Sequence, residues 1–228
     1  MLIGGFTKFS LIDYPGYTCA IIFMQGCNLR CPYCQNPELV IPEKFTEEIP
    51  IEEIIEFLKK RVGMLDAVEF TGGEPTTQSD LIEIAETIKN MGFTIKIDTN
   101  GTNPEAINEG LKKGVIDYIA MDIKASMDRY EEITQVNIDK EKIKRSIEII
   151  MNRAPGYEFR VTVIKNFHNK EEIEKIGQLV IGAKKFYLQK AQFVKTVKEG
   201  FKREQFSESE LEEFRNILLK YVKTCQIR

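Results

Sequence analysis

Tryptophan is absent from the 228 residues and histidine occurs once, at His168, which excludes mechanisms that need several imidazoles. Long hydrophobic runs are missing too. The longest strictly apolar stretch, Cys19 to Met24, falls far short of the roughly 20 residues that cross a bilayer. The N-terminus lacks the basic, hydrophobic and small-residue order of a signal peptide, so a cytoplasmic protein with no membrane partner is expected. An excess of one charge is also lacking: 32 basic against 35 acidic residues leave a net charge of −3 and no footprint of a nucleic-acid binder. No low-complexity segment, heptad array or exact repeat appears.

What is present is a 43% apolar chain long enough for one large domain with a sizeable core. Short β-rich runs alternate with helical periodicity along nearly its whole length. The strands expected are Thr18 to Met24, Ala67 to Phe70, Thr94 to Asp98, Tyr118 to Asp122, Glu158 to Ile164 and Lys185 to Gln189. Between them, sets such as Ile51, Ile54, Ile55, Leu58 and Leu81, Ile84, Ala85, Ile88 recur at helical spacing. Further helices are expected from Pro104, around Ile143 to Met151, around Ile173 to Val180, and across Leu211 to Tyr221, the last behind a Ser207 and Glu210 capping box. A complete eight-unit barrel takes about 250 residues. The expected fold is therefore α/β, a partial, open (β/α)6 TIM-type barrel in a single domain, with functional loops at the C-terminal strand ends. Residues 1–17 form an extended cap, 18–206 the βα units, and 207–228 a C-terminal helix.

The first strand runs into Gln25-Gly26-Cys27-Asn28-Leu29-Arg30-Cys31-Pro32-Tyr33-Cys34, where three of the five cysteines fall four and then three residues apart. A short loop can aim three thiols at one centre. Thiolates suit an iron-sulfur cluster or zinc, and a cubane cluster given three cysteines keeps one iron open for a ligand. A structural zinc needs a fourth ligand, and only His168 or Cys225 could supply it through long-range folding. Cys19 reads as a small core residue and Cys225 as a terminal bystander.

This Cys-x3-Cys-x2-Cys loop after the first strand resembles the signature of the radical SAM superfamily. Phe70-Thr71-Gly72-Gly73-Glu74-Pro75 resembles the same superfamily's loop for the amino end of S-adenosylmethionine, although two glycines before a proline also make an ordinary turn. Glycines allow close backbone approach, and carbonyls or Glu74 can accept from an ammonium. The resemblance implies that Cys27, Cys31 and Cys34 hold one 4Fe-4S cluster and that Tyr33 lies against the adenine. It further implies reductive cleavage of S-adenosylmethionine to a 5′-deoxyadenosyl radical.

Ile97-Asp98-Thr99-Asn100-Gly101 and Met121-Asp122-Ile123-Lys124, at the next two strand ends, resemble the glycyl-radical-enzyme activating enzymes. There the matching aspartates, with Thr99 and the carbonyl of Ala120, imply a monovalent cation beside the cofactor carboxylate. Two carboxylates facing an anion need such a cation or a lysine, and Lys124 is at hand. Arg160 matches a cofactor-contacting arginine, and Gln189 falls where some relatives carry histidine. Gln35 stands where many activating enzymes have histidine and cannot change charge. The stretch from Gly5 to Gly16 resembles the lead-in of proteins that activate anaerobic ribonucleotide reductase.

The activity so implied is hydrogen abstraction from a backbone glycine of a separate glycyl radical enzyme, with a flavodoxin or ferredoxin as electron donor. The alternatives are a minimal radical SAM enzyme acting on a small molecule or RNA, and a non-catalytic zinc or iron-sulfur interaction module. Lys184, Lys185, Lys190, Lys195, Lys198, Lys202 and Arg203, with Glu199 the only acid among them, form the most one-sided segment of the chain. It is expected to border the open mouth, either as a docking surface for a protein partner or as a solvated face.

Overall fold

The computed structural model describes every residue except 193, 194, 202 and 203. Eight strands, β1 Ile3–Ser10, β2 Cys19–Met24, β3 Ala67–Gly72, β4 Thr94–Thr99, β5 Tyr118–Asp122, β6 Gly156–Val163, β7 Phe186–Lys190 and β8 Cys225–Ile227, form one sheet in chain order. The helices are α1 Pro37–Val40, α2 Ile51–Lys59, α3 Leu81–Asn90, α4 Pro104–Lys112, α5 Tyr130–Thr134, α6 Lys140–Arg153, α7 Lys170–Leu179 and α8 Glu208–Leu218. β1 runs antiparallel to β2, every later pair is parallel, and β1 and β8 are the two free edges of an open sheet. No helix among the described residues is long and apolar enough to cross a membrane.

Local sequence explains the helix starts. Asn103 and Asn169 accept from backbone amides of the first turns of α4 and α7, and Ser207 and Glu210 close a reciprocal capping box at α8. Period-two alternation then sorts each strand between two environments. Ile22, Val68, Phe70, Ile95, Ile97, Ile119, Phe159 and Leu188 face the helices and build the main core. The opposite, inner face is sealed toward the strand starts by Tyr14, Cys19, Ile21, Ala67 and Tyr118. Farther along the same face the alternating positions become Glu69, Thr71, Lys96, Asp98, Asp122, Arg160 and Thr162, so charge concentrates toward the C-terminal strand ends.

Two boundary expectations change. The first residues are extended, but β1 joins the sheet as an edge strand and does not merely cap it. The segment 207–228 is not one helix: α8 stops at Leu218, and Cys225–Ile227 pairs in parallel with β7. Tyr221 has helical spacing from Leu218, yet it lies in the turn, where its carbonyl accepts from Gly182 N–H and its hydroxyl reaches Glu174 Oε1 at 2.9 Å. Cys225 is accordingly a buried strand residue.

Phe70 is wholly buried between sheet and helices, whereas Ile12 is 84% exposed at the turn after β1. Phe70→Ala should cost about 3–5 kcal/mol in urea denaturation through transfer and cavity terms. Ile12→Ala should stay within about 0.5 kcal/mol. Equal midpoints for the two variants would contradict this division of the core.

Candidate active site

The cysteine loop leaves β2 through Gly26 (φ +95°) and is tied down by one arginine. Arg30 Nη1 donates to the carbonyls of Cys27 and Leu29 at 2.5 and 2.8 Å, and the Arg30 amide donates to Thr134 at the end of α5. Cys34 N–H closes a turn on the Cys31 carbonyl at 3.0 Å. All three thiols line one cavity of about 230 Å³ at the C-terminal ends of the strands. Cys27 Sγ accepts from Leu29 N–H at 3.4 Å and Asn100 Nδ2 at 3.9 Å. Burial pushes Cys27 up to about 12 and Cys31 up to about 11, and raises Cys34, so any metal group bound there must release thiol protons. Among the described residues no three His, Cys, Asp or Glu side chains converge on a single ion. The thiols surround a space rather than a point.

The Gly72-Gly73-Glu74 loop lines the same cavity, but its residues are constrained by the protein itself. Gly72 has φ +107°, and a Cβ there would lie 2.7 Å from Met24 N; a Cβ on Gly73 would meet the Gly26 carbonyl oxygen at 2.0 Å. The glycines therefore allow this loop to pack on the start of the cysteine loop, where Glu74 N–H donates to that same Gly26 carbonyl. Of the two acceptors expected for an ammonium, the loop carbonyls or Glu74, the Glu74 side chain is engaged by donors of the protein. Glu74 is 1% exposed, Oε1 accepts from Thr76 and Thr99 hydroxyls, and Oε2 accepts from Asn100 N–H at 2.6 Å. Burial raises its carboxyl, and these donors partly offset the rise. Glu74 positions the end of β4.

Across the inner face, six acidic and basic side chains alternate. Lys96 Nζ contacts Glu69 at 2.7 Å and Asp98 at 2.6 Å; Arg160 holds Asp98 through Nη1 at 2.9 Å and Asp122 through Nε at 2.8 Å; Lys124 Nζ completes the series on Asp122 at 2.9 Å. Burial works against the carboxylates of Asp98 and Asp122, but Arg160 and the lysines outweigh it and hold both below the usual range. Burial, reinforced by Asp98, pushes Glu69 upward, and Glu69 Oε2 has no hydrogen-bond partner.

Asp98, Thr99, Asn100, Asp122, Lys124 and Arg160 thus line one cavity with Tyr33. Gln189 does not line the cavity; it sits one strand over, opposite Thr162, which does. The set Asp98, Thr99, Ala120 and Asp122, expected as a possible cation site, is engaged within the protein: Arg160 bridges the aspartates and Thr99 Oγ1 donates to Glu74. Ala120 lies in β5 in register with Asp98. Thr71, Thr162 and Lys96 were not foreseen from the sequence; their two-residue spacing from Glu69, Arg160 and Asp98, which puts each pair on one strand face, was the available signal.

The described residues of the basic segment are spread over several places. Lys184 and Lys185 lie over Tyr157 and Tyr118 near the strand starts, while Lys190 and Lys195 pair with Glu208 and Glu38. Lys202 and Arg203 fall outside the described residues. His168 is a loop residue as expected, but a buried one. Its Nδ1 accepts from Ile164 N–H at 3.0 Å, which leaves Nε2–H to donate to the Lys124 carbonyl at 3.2 Å.

Residues 21–180 match the radical SAM superfamily, and the chain belongs to it. A protein of Methanocaldococcus jannaschii, whose name proposes a glycyl-radical enzyme activating enzyme, is 38% identical over 236 aligned residues, covering 100% of this chain and 95% of that one. The pyruvate formate-lyase-activating enzyme of Clostridium pasteurianum is 28% identical over 202 residues, covering 77% of this chain and 81% of its own. The crystal structure of SuiB from Streptococcus suis superposes with a TM-score of 0.69 at 15% identity, over 91% of this chain and 48% of that one, a likeness of fold. The protein is a radical SAM enzyme on a partial, open barrel, and its family implies a 4Fe-4S cluster and S-adenosylmethionine.

Burial lowers the pKa of His168 to about 4, against 6.5 for an ordinary imidazole. A depressed imidazole keeps its contribution to stability above the unfolded value and loses it as pH falls from about 6.5 toward 4. Proton NMR of this single histidine should show no titration near 6.5 in the folded protein. A midpoint near 6.5 would contradict the buried clamp.

Proposed function

We propose that the chain is a glycyl-radical-enzyme activating enzyme, in which Cys27, Cys31 and Cys34 hold a 4Fe-4S cluster and the neighbouring cavity binds S-adenosylmethionine. One observation carries the reading: three thiols, a glycine loop and Asp98, Asp122, Lys124 and Arg160 of the charge chain, drawn from separate strand ends, open onto one cavity. The residues fit the group. Three thiols suit a cubane cluster with one open iron, and Tyr33 Oη is a buried polar atom with no hydrogen-bond partner among the described residues. When bound, the cluster and S-adenosylmethionine supply the electron transfer and the organic radical that removes a hydrogen atom from glycine.

The chain's own residues bind and orient. Arg160 and Lys124 present N–H donors to the ligand carboxylate while Asp98 and Asp122 hold them in place, with Thr99 and Asn100 fixed beside them through Glu74. With the Glu74 side chain fully engaged, backbone carbonyls of the Gly72-Gly73 loop receive the amino group. The Tyr33 ring lies against the adenine. A monovalent cation would be held by Asp98 and Asp122. The open sheet suits a polypeptide substrate, since a glycine-bearing loop must reach the cavity from a separate protein, and a flavodoxin or ferredoxin is the fitting one-electron donor. A radical SAM enzyme of small-molecule or RNA substrate would share the cofactor site and differ only in product.

Anaerobic incubation with reductant, S-adenosylmethionine and candidate glycyl radical enzymes, read by electron paramagnetic resonance, should give a glycyl doublet on the partner. Cofactor cleavage with no doublet on any partner would favour the small-molecule or RNA reading. Cys27→Ala, Cys31→Ala and Cys34→Ala should each lose iron and release of 5′-deoxyadenosine, while Cys19→Ala and Cys225→Ala retain both. Loss of the cluster in Cys225→Ala would overturn the three-ligand assignment.

A further inference from the structure

Residues 195–201, downstream of β7, lie against the cysteine loop and are held to it by backbone hydrogen bonds. Val197 N–H donates to the Cys34 carbonyl at 2.9 Å, and Lys198 N–H donates to the Pro32 carbonyl at 3.0 Å. Thr196, 9% exposed, turns its hydroxyl onto the Lys198 carbonyl at 2.9 Å and so fixes the segment's own bend. Lys195 pairs with Glu38 in α1, just beyond the loop. Phe201 stacks on Phe167 at 5.8 Å, and Phe167 lies 6.1 Å from Tyr33. The contacts reach both sides of Cys34.

The cysteine loop has little regular structure of its own between Gln25 and Asn36. A ligand loop must nevertheless hold its thiols within about 0.5 Å of productive geometry, and this is normally done by hydrogen bonds from outside the ligand set. Here the two amides fix the Pro32 and Cys34 peptides that bracket Tyr33 and carry the third thiol.

We propose that residues 195–198 are a positioning strap for the cluster loop, whose Val197 and Lys198 amides hold the Pro32-to-Cys34 turn in its ligating form. The proposal rests on the assignment of Cys34 as a cluster ligand. The strap acts through its backbone. Side-chain charge in this segment is secondary to it.

Val197→Pro and Lys198→Pro each remove one N–H donor, whereas Val197→Ala and Lys198→Ala keep it. In the apoprotein, iodoacetamide labelling of Cys34 followed by mass spectrometry reads the loop without any cluster. In the reconstituted protein, iron release to a chelator and the resonance spectrum of the reduced cluster read the ligand geometry. Each proline variant should label Cys34 and release iron about three- to tenfold faster, the range of one lost hydrogen bond, and should alter the reduced-cluster spectrum. The alanine variants should stay within about twofold of wild type, less than one lost bond. A global folding defect would lower the apoprotein melting temperature and speed labelling of buried Cys19 and Cys225 together with Cys34. In that case Lys195→Glu, rescued by adding Glu38→Lys, tests the strap through its side-chain contact. Wild-type labelling and iron release in both proline variants, or alanine variants that behave like proline, would overturn the proposal. Full iron retention in Cys34→Ala would instead defeat the ligand assignment, with the apoprotein labelling still reporting the strap.

Discussion

The alternating chain Glu69, Lys96, Asp98, Arg160, Asp122, Lys124 is the constraint on which the site depends. Placing acidic and basic groups on the inner face of a sheet carries a large desolvation cost, and mutual pairing recovers it only when the geometry is good. The sheet supplies that geometry through register: Glu69 stands opposite Lys96, and Asp122 opposite Arg160. Stability comes from elsewhere, from the helix-covered face and from the apolar seal of Tyr14, Cys19, Ile21, Ala67 and Tyr118. The charge chain fixes where a charged ligand can sit. Arg160 and Lys124, held by Asp98 and Asp122, are prearranged donors for a ligand's carboxylate.

A second layer ties the loops to this frame. Glu74 joins the end of β3 to the end of β4 through Thr99 and Asn100, and Asn100 in turn reaches Asn28 and the Cys27 thiol. Gly72 and Gly73 allow the loop to press on the Met24 and Gly26 backbone. His168 links the Lys124 carbonyl to the end of β6, so the last base of the charge chain is steadied from behind. Thiols and charges are thereby held in one relation to each other.

The parts legible in the sequence are those whose meaning is local. Cys27, Cys31 and Cys34 announce themselves by spacing alone, and the βα rhythm gives six of the strands to within about two residues, the usual boundary error. Capping residues such as Ser207 mark helix starts because their partners lie three residues away. What stayed hidden depends on distant partners. Glu74 reads as a ligand in sequence and proves a structural anchor because its donors stand 25 and 26 residues on. Lys96 carries no local signal of its role, which comes from Glu69 on the neighbouring strand and Asp98 closing around it. The segment after β7 drew notice for its lysines, while its contact with the cysteine loop runs through amides that every residue but proline carries. β8 is too short for a pattern to reveal.

The most direct measurement is the affinity for S-adenosylmethionine of cluster-loaded Arg160→Gln protein, by anaerobic equilibrium dialysis beside an iron assay. Removing the guanidinium leaves Asp98 and Asp122 facing the ligand carboxylate without their shared partner, a change that in buried networks costs about 3–5 kcal/mol. Iron content should match the wild type, and affinity should fall at least about tenfold, which is 1.4 kcal/mol. Unchanged affinity with the cluster intact would contradict a cofactor site organised by this charge chain.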